Sequence, residues 1–257
     1  MDIWLTDLDN TLIYSHKHNI PLPKTTAEYY QGREQSYITD STLRFCQQFC
    51  ESKNHLFVPL TTRIPPQFER ISPLWEQLSY RYALVSNGAV LLVDGVSDPV
   101  WEQRSLAMAE QYTDYLLDAV EVLKQYVEPE HLHEVLPYMV YAKTPQDPAL
   151  MALLRERYAP HGISVIYTGT KLYCVPGVFS KGAAVRRFRE RLAASGDRII
   201  ASGDSPFDVS MLMESDIAIY PQELSVPEDL RHQHIPVEGF FADGLCRALS
   251  ALLFAGE

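Results

Sequence analysis

Two aspartates lie two positions apart near the start of the chain, in the stretch IWLTDLDNTL from Ile3 to Leu12. Asp7 and Asp9 follow an apolar run typical of a buried strand, and Thr11 comes next but one. Carboxylates this close raise each other's pKa unless a cation compensates them. The pair therefore predicts a polar site at the end of a strand.

Further polar groups follow the other candidate strands, and a lysine opens a candidate helix. They are Thr61, Thr62 and Arg63 in VPLTTR, Ser86 and Asn87 in VSNGA, Asp204, Ser205 and Asp208 in GDSPFD, and Lys181 in GVFSKG. Each motif by itself is more often a turn, a helix cap or a solvated surface group. Ligands of a doubly wound sheet bind beyond the carboxyl ends of its strands, and all of these motifs are expected there.

The residue types at this edge indicate phosphoryl chemistry. Its candidate metal ligands are Asp7, Asp9, Asp204 and Asp208. An oxygen-only donor set suits Mg²⁺, and the absence of a nearby histidine in the sequence argues against zinc. Lys181 at a helix N-terminus and Thr61 at a strand end can both bind an anion. A metal, a lysine and a hydroxyl together predict a phosphoryl pocket with electrostatic catalysis.

Short apolar strands alternate with helices over most of the chain. The strand candidates are Ile3–Thr6, His55–Leu60, Tyr82–Ser86, Arg198–Ser202, Asp216–Tyr220 and His234–Val237. The helix candidates are Ser41–Ser52, with Asp40 or Ser41 as the N-cap, and Ser180–Ala194. This alternation predicts an α/β fold with a doubly wound, Rossmann-like parallel sheet.

The middle of the chain departs from this alternation. It is predicted to contain a helix over Ser105–Val127, the strand VLPYMVYAK, a helix near Pro148–Tyr158, and the strands ISVIYT and KLYCV. This order predicts an inserted α+β cap domain over residues 91–173, with residues 1–90 and 174–257 forming the core.

A second unusual segment, residues 13–39, is long for a connection between a strand and a helix. Part of it, AEYYQGREQSYIT, predicts a small hairpin that turns at Gln31–Gly32. Beside a reactive strand end, such a segment is either a flap that gates the substrate or surface decoration.

Composition excludes several classes of partner. The net charge of −11 opposes non-specific binding to nucleic acid or to an anionic membrane, and no apolar run has the roughly 20 residues of a membrane helix. The start of the chain has no secretory leader. Its cysteines, Cys46, Cys50, Cys174 and Cys246, show no zinc spacing and are expected to be reduced thiols in a cytoplasmic protein.

The ordered motifs resemble those of the haloacid dehalogenase (HAD) superfamily. They are DLDNT, LTTR, SKG and GDSPFD, which together span nearly the whole chain. SNGA and the place of the inserted module resemble the Cof-type branch, which has a C2-type cap and includes sucrose-phosphate and other sugar-phosphate phosphatases. This combination of motifs is specific evidence for the superfamily, but it says little about which substrate is used.

The resemblance implies a role for each matching residue. Asp7 is the nucleophile that forms an aspartyl-phosphate, and Asp9 protonates the leaving group and then activates water. The phosphate-binding residues are Thr61, Lys181 and Asn87. The Mg²⁺ ligands are Asp7, the backbone carbonyl of Asp9, and Asp204, with Asp208 as a further ligand or a partner of the ligands.

The sequence departs from the family pattern at three positions. Asn10 replaces a frequent glycine, as in members similar to sucrose phosphatase. TTR replaces the usual TGR, which leaves Thr61 and Thr62 as alternatives for the inward residue, with Thr61 favoured by the motif. Phe207 replaces an asparagine, which removes a polar contact of Cof-type members.

The expected activity is Mg²⁺-dependent hydrolysis of a small phosphorylated metabolite, a sugar or polyol phosphate. The alternatives are a phosphosugar mutase similar to phosphomannomutases and a metabolite-binding protein without catalysis. Substrate choice is expected in the cap. Its candidate contacts are Arg104, Lys143 and Lys171, with Tyr141 and Tyr173 as stacking surfaces. Oligomeric state and pathway stay open.

Overall fold

The computed structural model describes residues 1–232 and 234–254. In chain order its strands are β1 (Asp2–Thr6), β2 (Tyr14–Ser15), β3 (Lys24–Tyr30), β4 (Arg33–Thr39), β5 (His55–Pro59), β6 (Tyr82–Val85), β7 (Val90–Val93), β8 (Val96–Ser97), β9 (Leu132–Val135), β10 (Met139–Lys143), β11 (Ile163–Thr168), β12 (Lys171–Pro176), β13 (Arg198–Ser202), β14 (Ile217–Pro221) and β15 (His234–Val237). Its α-helices are α1 (Asp40–Glu51), α2 (Pro65–Glu69), α3 (Ser72–Trp75), α4 (Pro99–Ala109), α5 (Thr113–Leu123), α6 (Pro148–Tyr158), α7 (Lys181–Leu192), α8 (Val209–Met213) and α9 (Phe241–Phe254). Within these residues no helix has both the length and the apolar character to cross a lipid bilayer.

The central sheet is parallel throughout and has the strand order β15-β14-β13-β1-β5. β1 lies between β13 and β5, so that Thr6 pairs with Ser202 on one side and Pro59 on the other. The carboxyl ends of these three strands therefore meet at one edge. The predicted doubly wound α/β fold is confirmed.

Both faces of this sheet are covered, which explains the continuous apolar run of β1. Trp4 points to one face, where its ring meets Phe49 of α1 at a centroid distance of 5.2 Å. Ile3 and Leu5 point to the opposite face and pack in one cluster with Phe188 of α7. Alternate burial on two faces leaves no polar side of the strand, as is usual for parallel sheets.

The cap has its own antiparallel sheet, in the order β11-β12-β10-β9. Leu116 of α5 and Leu154 of α6 pack on one face of this sheet. Tyr141 and Tyr173 lie on the other face, in a cluster with Phe207 of the core. The cap therefore presents an aromatic face to the carboxyl edge of the central sheet. Strand β9 was not predicted, because LHEV is short and half of it is polar.

The predicted helix over Ser105–Val127 is wrong as a single element. α4 ends at Ala109 and α5 begins at Thr113, with one 3₁₀ turn between them. Trp101 of α4 packs in a core cluster, whereas Leu116 of α5 packs in the cap cluster. The break allows each helix to bury its apolar face against a different sheet. The N-cap of α1 is Thr39, whose hydroxyl accepts from the backbone N–H of Thr42, and not Asp40 or Ser41.

Strand pairing bears on the limits of the cap. β7 pairs with both β6 and β8 in a sheet that follows β5, and Leu60 and Leu84 form a parallel bridge between the two sheets. β12 continues without interruption to Pro176. β7, β8 and α4 therefore belong with the core, and we propose that the cap is the part of the predicted module that follows α4, extended to Pro176.

Residues 24–39 form the predicted hairpin. β3 and β4 are antiparallel and turn at Gln31 and Gly32, whose φ values of 51° and 74° match the mirror-image turns that suit twisted hairpins. The register shifts on both sides of Glu28. Irregularities of this kind redirect a side chain, and Glu28 is buried, with 1% of its surface exposed.

Candidate active site

The carboxyl edge of the sheet brings together a lysine and three aspartates. Lys181, the first residue of α7, places its Nζ 2.5 Å from Asp7 Oδ1 and 2.5 Å from Asp208 Oδ1. The hydroxyl of Thr11 donates to Asp204 Oδ1 at 3.1 Å and to Asp7 Oδ2 at 3.4 Å. Residues from both ends of the chain therefore form one compact polar cluster.

Asp208 organises the loop that follows β13. Its Oδ2 accepts from the backbone N–H groups of Asp204 and Ser205, at 3.1 and 2.9 Å, and from the Ser205 hydroxyl at 2.8 Å. A side chain at Gly203 would lie 2.3 Å from the Cβ of Asp208, so only glycine permits this close approach. Both oxygens of Asp208 thus have partners within the protein.

The cluster perturbs the pKa of its members. Burial and the neighbouring Asp208, Asp204 and Asp9 carboxylates raise the pKa of Asp7, although Lys181 opposes them. Burial and Asp208 raise the pKa of Asp204 to about 7. For Lys181, the attraction of Asp208 and Asp7 outweighs burial and raises the pKa, so that the ammonium group stays charged.

These residues fit a hard divalent cation. Asp7, Asp204 and Asp208 offer carboxylate oxygens that all lie within 4.8 Å of one another. Burial first, and then the neighbouring carboxylates, raise the pKa of Asp7 and Asp204, so a bound cation would favour the charged form of both. Oxygen donors with uncompensated charge are the set that Mg²⁺ prefers in proteins.

Asp9 lies apart from this cluster and pairs with Arg63. Nε and Nη2 of Arg63 each donate to one oxygen of Asp9 at 2.8 Å, in a bidentate arrangement. Desolvation by the surrounding protein tends to raise the pKa of Asp9, but Arg63 outweighs it and lowers the pKa. Asp9 is therefore held as a carboxylate.

Glu28 of the hairpin holds Arg63 from the opposite side. Arg63 Nη2 donates to Glu28 Oε2 at 2.9 Å, and Arg70 Nε donates to Glu28 Oε1 at 3.0 Å. Sequence reasoning missed this network. LTTR drew attention to Arg63, but the only signal for Glu28 was its place in an unusually long segment.

The two threonines of TTR have different surroundings. Thr61 is fully buried at the strand end, and its Oγ1 accepts from the backbone N–H of Arg63 at 3.2 Å. Thr62 is half-buried and its side chain lies close to Tyr173 of the cap. Thr61 is therefore part of the catalytic edge, whereas Thr62 connects the core to the cap.

Asn87 lies in a strained turn beside this edge. Its φ of 57° is left-handed, and only 1% of its surface is exposed. Within the described residues neither Oδ1 nor Nδ2 of its amide has a hydrogen-bond partner. A buried amide without partners is costly unless a ligand satisfies it, so Asn87 is a candidate ligand contact.

The cap faces the cluster with stacked rings. Tyr141 stacks on Tyr173 at a centroid distance of 5.0 Å and on His133 at 4.4 Å, and its hydroxyl accepts from Gln67 Nε2 at 3.4 Å. Lys171 Nζ lies 5.8 Å from the Tyr141 ring centroid. Desolvation lowers the pKa of Lys171, and the nearby Asp9 opposes that effect.

The remaining predicted cap contacts differ in position. Lys143 pairs with Lys171 across β10 and β12 and follows Tyr141 by two residues, so it lies on the same face of the cap sheet as both. Arg104 lies elsewhere, in a cavity beside α7. Phe207 replaces the family's asparagine with an aromatic contact, because its ring meets Tyr173 at 4.9 Å.

The fold and this edge define a class: an α/β core of the HAD type with an inserted cap. The chain matches the model of the sucrose-6F-phosphate phosphohydrolase family over residues 2–220. It therefore belongs to that family and is a HAD phosphomonoester hydrolase. No curated protein matches it significantly in sequence.

Solved structures share the fold at low identity. The sucrose-phosphatase from Synechocystis sp. PCC6803, solved with sucrose and phosphate, is 16% identical, with a TM-score of 0.64 and 96% of each chain covered. A trehalose-6-phosphate phosphatase related protein is 16% identical, with a TM-score of 0.55, covering 99% of this chain and 100% of its own. A HAD phosphatase from Bacteroides thetaiotaomicron is 15% identical, with a TM-score of 0.55 and coverages of 97% and 94%. The predicted membership of the HAD superfamily is confirmed by the family match.

Proposed function

We propose that the protein is a cytoplasmic, Mg²⁺-dependent phosphatase that hydrolyses a sugar or polyol phosphate through an aspartyl-phosphate on Asp7. The observation that carries the proposal is the position of Asp7. Its carboxylate lies between a charged lysine and two further aspartates at the carboxyl edge of the sheet. The four thiols are free, in keeping with a reducing compartment.

Asp7 supplies the attacking oxygen. Lys181 bonds Asp7 Oδ1 and Thr11 bonds Oδ2, which fixes the direction of the carboxylate. The same ammonium group is placed to bind a phosphoryl oxygen, and Thr61 lies on the neighbouring strand end. Fixed donors of this kind stabilise charge that develops on the phosphoryl group in the transition state.

Asp7, Asp204 and the backbone carbonyl of Asp9 are the ligands that we assign to Mg²⁺. When bound, the ion would supply positive charge that offsets the negative charge of these ligands and of the phosphoryl oxygens. Asp208 has partners on both oxygens, so we assign it the role of holding Lys181 and the loop of Asp204.

Asp9 is the proposed general acid and base. Its lowered pKa leaves it ready to accept a proton from water in the second half of the reaction. To donate in the first half, it must first gain a proton against the effect of Arg63. A phosphate dianion bound next to Asp7 repels the Asp9 carboxylate and so raises its proton affinity.

The cap supports a sugar or polyol as the leaving group. Tyr141 and Tyr173 offer flat apolar surfaces with hydroxyl groups at their edges, which suits a ring with both C–H and hydroxyl faces. Lys171 and the amide of Asn87 add polar contacts. The matched family and two of the solved structures named above are a sucrose-phosphate phosphatase family, a sucrose-phosphatase and a protein related to trehalose-6-phosphate phosphatase, which favours a disaccharide phosphate.

The test is a phosphate-release assay with Mg²⁺ over sucrose 6-phosphate, trehalose 6-phosphate, hexose phosphates and polyol phosphates. Asp7→Asn is expected to abolish release, while the exposed Asp94→Asn keeps wild-type activity as the matched control. Full activity of Asp7→Asn overturns the role of Asp7. Interconversion of hexose 1- and 6-phosphates without phosphate release overturns hydrolysis in favour of a mutase.

A further inference from the structure

A second charged cavity lies between α4 and α7. Its volume is about 360 Å³, and it is lined by Trp101, Arg104, Arg187, Glu190 and Arg191. Arg187 and Arg191 follow Lys181 on α7 by six and ten residues, or about 9 and 15 Å at the helical rise of about 1.5 Å. The cavity is thus separate from the aspartate cluster but shares a helix with it.

Arg187 is a half-buried cation whose charge is not compensated. Its guanidinium stacks 4.0 Å from the Trp101 ring centroid and donates from Nη2 to Ser105 Oγ at 3.1 Å and to the Trp101 carbonyl at 3.4 Å. Within the described residues no carboxylate pairs with it. Burial, Arg104 and Arg191 lower the pKa of Arg187 to about 10, so it stays charged at neutral pH.

The other charges of the cavity leave it net positive. Arg191 Nη2 donates to both oxygens of Asp98 at 3.0 and 3.2 Å, and Glu190 is the second acid. Arg104 is exposed and has no hydrogen bond or ion pair within the part of the chain that the structure describes. Three guanidinium groups therefore face two carboxylates, in a protein whose net charge is −11. Asp98 compensates Arg191, so Arg104 and Arg187 are the guanidinium groups of the cavity that lack a carboxylate partner among the described residues.

We propose that this cavity binds a tetrahedral oxyanion: phosphate, either free or carried by a small metabolite. Guanidinium groups present paired N–H donors that match two oxygens of a phosphate. Arg104 and Arg187 have donors to spare, because neither is engaged by a carboxylate.

The same contacts connect the cavity to the catalytic edge. Trp101 Nε1 donates to the Gly88 carbonyl at 2.9 Å, and Ser105 Oγ donates to the Ala89 carbonyl at 2.6 Å. The two residues that contact Arg187 therefore hold the turn that carries Asn87. An anion that draws Arg187 toward itself changes these bonds, so its binding is expected to change turnover. This coupling rests on the proposed catalytic site, whereas the binding does not.

Binding is tested by calorimetric titration of inorganic phosphate into the metal-free protein at constant ionic strength. Arg104→Gln is expected to weaken the cavity site by about tenfold, and the matched control Arg44→Gln, another exposed arginine, leaves it unchanged. Arg187→Lys keeps the charge, loses the paired donors and is expected to weaken binding as well. Arg104 does not contact the aspartate cluster. The difference between the wild-type and Arg104→Gln titrations therefore measures phosphate bound in the cavity and not phosphate bound at the aspartate cluster. Identical titrations for the wild type, Arg104→Gln and Arg187→Lys overturn the site.

A second titration with phenylphosphonate, which cannot be hydrolysed, separates the two sources of the anion. Tighter binding than inorganic phosphate, lost in Arg104→Gln, assigns the cavity to an organic phosphate. Weaker binding assigns it to the free ion.

Coupling is tested by measuring kcat for an aryl phosphate with and without phosphate. Phosphate that competes with the substrate at the aspartate cluster changes KM. Phosphate bound in the cavity is expected to change kcat by at least about twofold in the wild type but not in Arg104→Gln. A constant kcat, together with binding that depends on Arg104, overturns the coupling and keeps the site. A protein without phosphatase activity overturns the proposed function, and the titrations still decide the binding.

Discussion

Glu28 and Arg63 are 35 residues apart in the sequence, and their side chains meet at 2.9 Å in a salt bridge in which Glu28 is almost completely buried. Glu28 lies at the irregular point of the hairpin, and Arg63 holds both oxygens of Asp9. The hairpin therefore determines the position of the proposed general acid and base. This contact favours a functional role for residues 24–39 over surface decoration.

Glu28→Gln is expected to lower kcat by about tenfold with little change in KM, because the amide holds Arg63 less firmly against Asp9. The measurement is steady-state hydrolysis of an aryl phosphate with Mg²⁺. Glu34→Gln is the matched control, because Glu34 lies on the same hairpin and its side chain hydrogen-bonds Thr26 and Tyr37 and not Arg63. Equal losses in both variants would indicate a general effect of hairpin stability instead.

Arg63→Gln is expected to change the pH dependence of kcat, which includes the second half of the reaction, where the Asp9 carboxylate accepts a proton from water. The carboxylate of Asp9 is lost as the pH falls through its pKa, and Arg63 keeps that pKa low. Without Arg63 the pKa rises, so the acidic limb of the profile is expected to move to higher pH by about one unit or more. The profile is compared with that of Arg70→Gln, which removes the other arginine of Glu28 but not the partner of Asp9. An acidic limb at the wild-type pH in Arg63→Gln contradicts the role of Arg63.

Sequence reasoning predicted the core well, because its strands are buried on both faces and carry an unbroken apolar signal. The motif spacing likewise indicated which side chains meet at the strand ends, since parallel strands place their carboxyl ends together. The structure brings Asp7, Lys181, Asp204 and Asp208 to one point, as the order of the motifs predicts.

The features that the sequence did not predict depend on contacts between distant residues, which leave no local pattern in the sequence. A charged residue such as Glu28 in a polar hairpin looks like a surface group until the fold brings two arginines to it. The break between α4 and α5 arises because the apolar face of α4 packs on the core and that of α5 packs on the cap sheet, which helical periodicity alone does not show. Arg104, proposed as a substrate contact, lies in the cavity beside α7 because α4 packs on the core.

Asp204→Asn is expected to weaken Mg²⁺ binding, because it removes one charged oxygen from the proposed ligand set. Mg²⁺ at 100 times its Kd stabilises a protein by about 2.7 kcal/mol, which is visible as a shift in Tm. We expect this shift in the wild type, and a smaller one in Asp204→Asn at the same Mg²⁺ concentration. Asp216→Asn, an aspartate away from the cluster, is the control. A full Mg²⁺-dependent shift in Asp204→Asn contradicts the assigned ligand.

Chelation with EDTA is expected to remove activity, and added Mg²⁺ to restore it.

Asn87→Gly separates function from stability at one position. The substitution removes a buried amide that has no partner within the described residues, and glycine tolerates the left-handed φ of 57°. Relief of the unpaired amide offsets the flexibility that glycine adds to the unfolded chain, so the free energy of unfolding is expected to change by less than about 1 kcal/mol. If the amide contacts the substrate, kcat/KM falls by about tenfold or more. Denaturant unfolding and steady-state kinetics on the same preparation measure both quantities. Wild-type kcat/KM in Asn87→Gly excludes the substrate contact, because the unpaired amide would then serve no ligand.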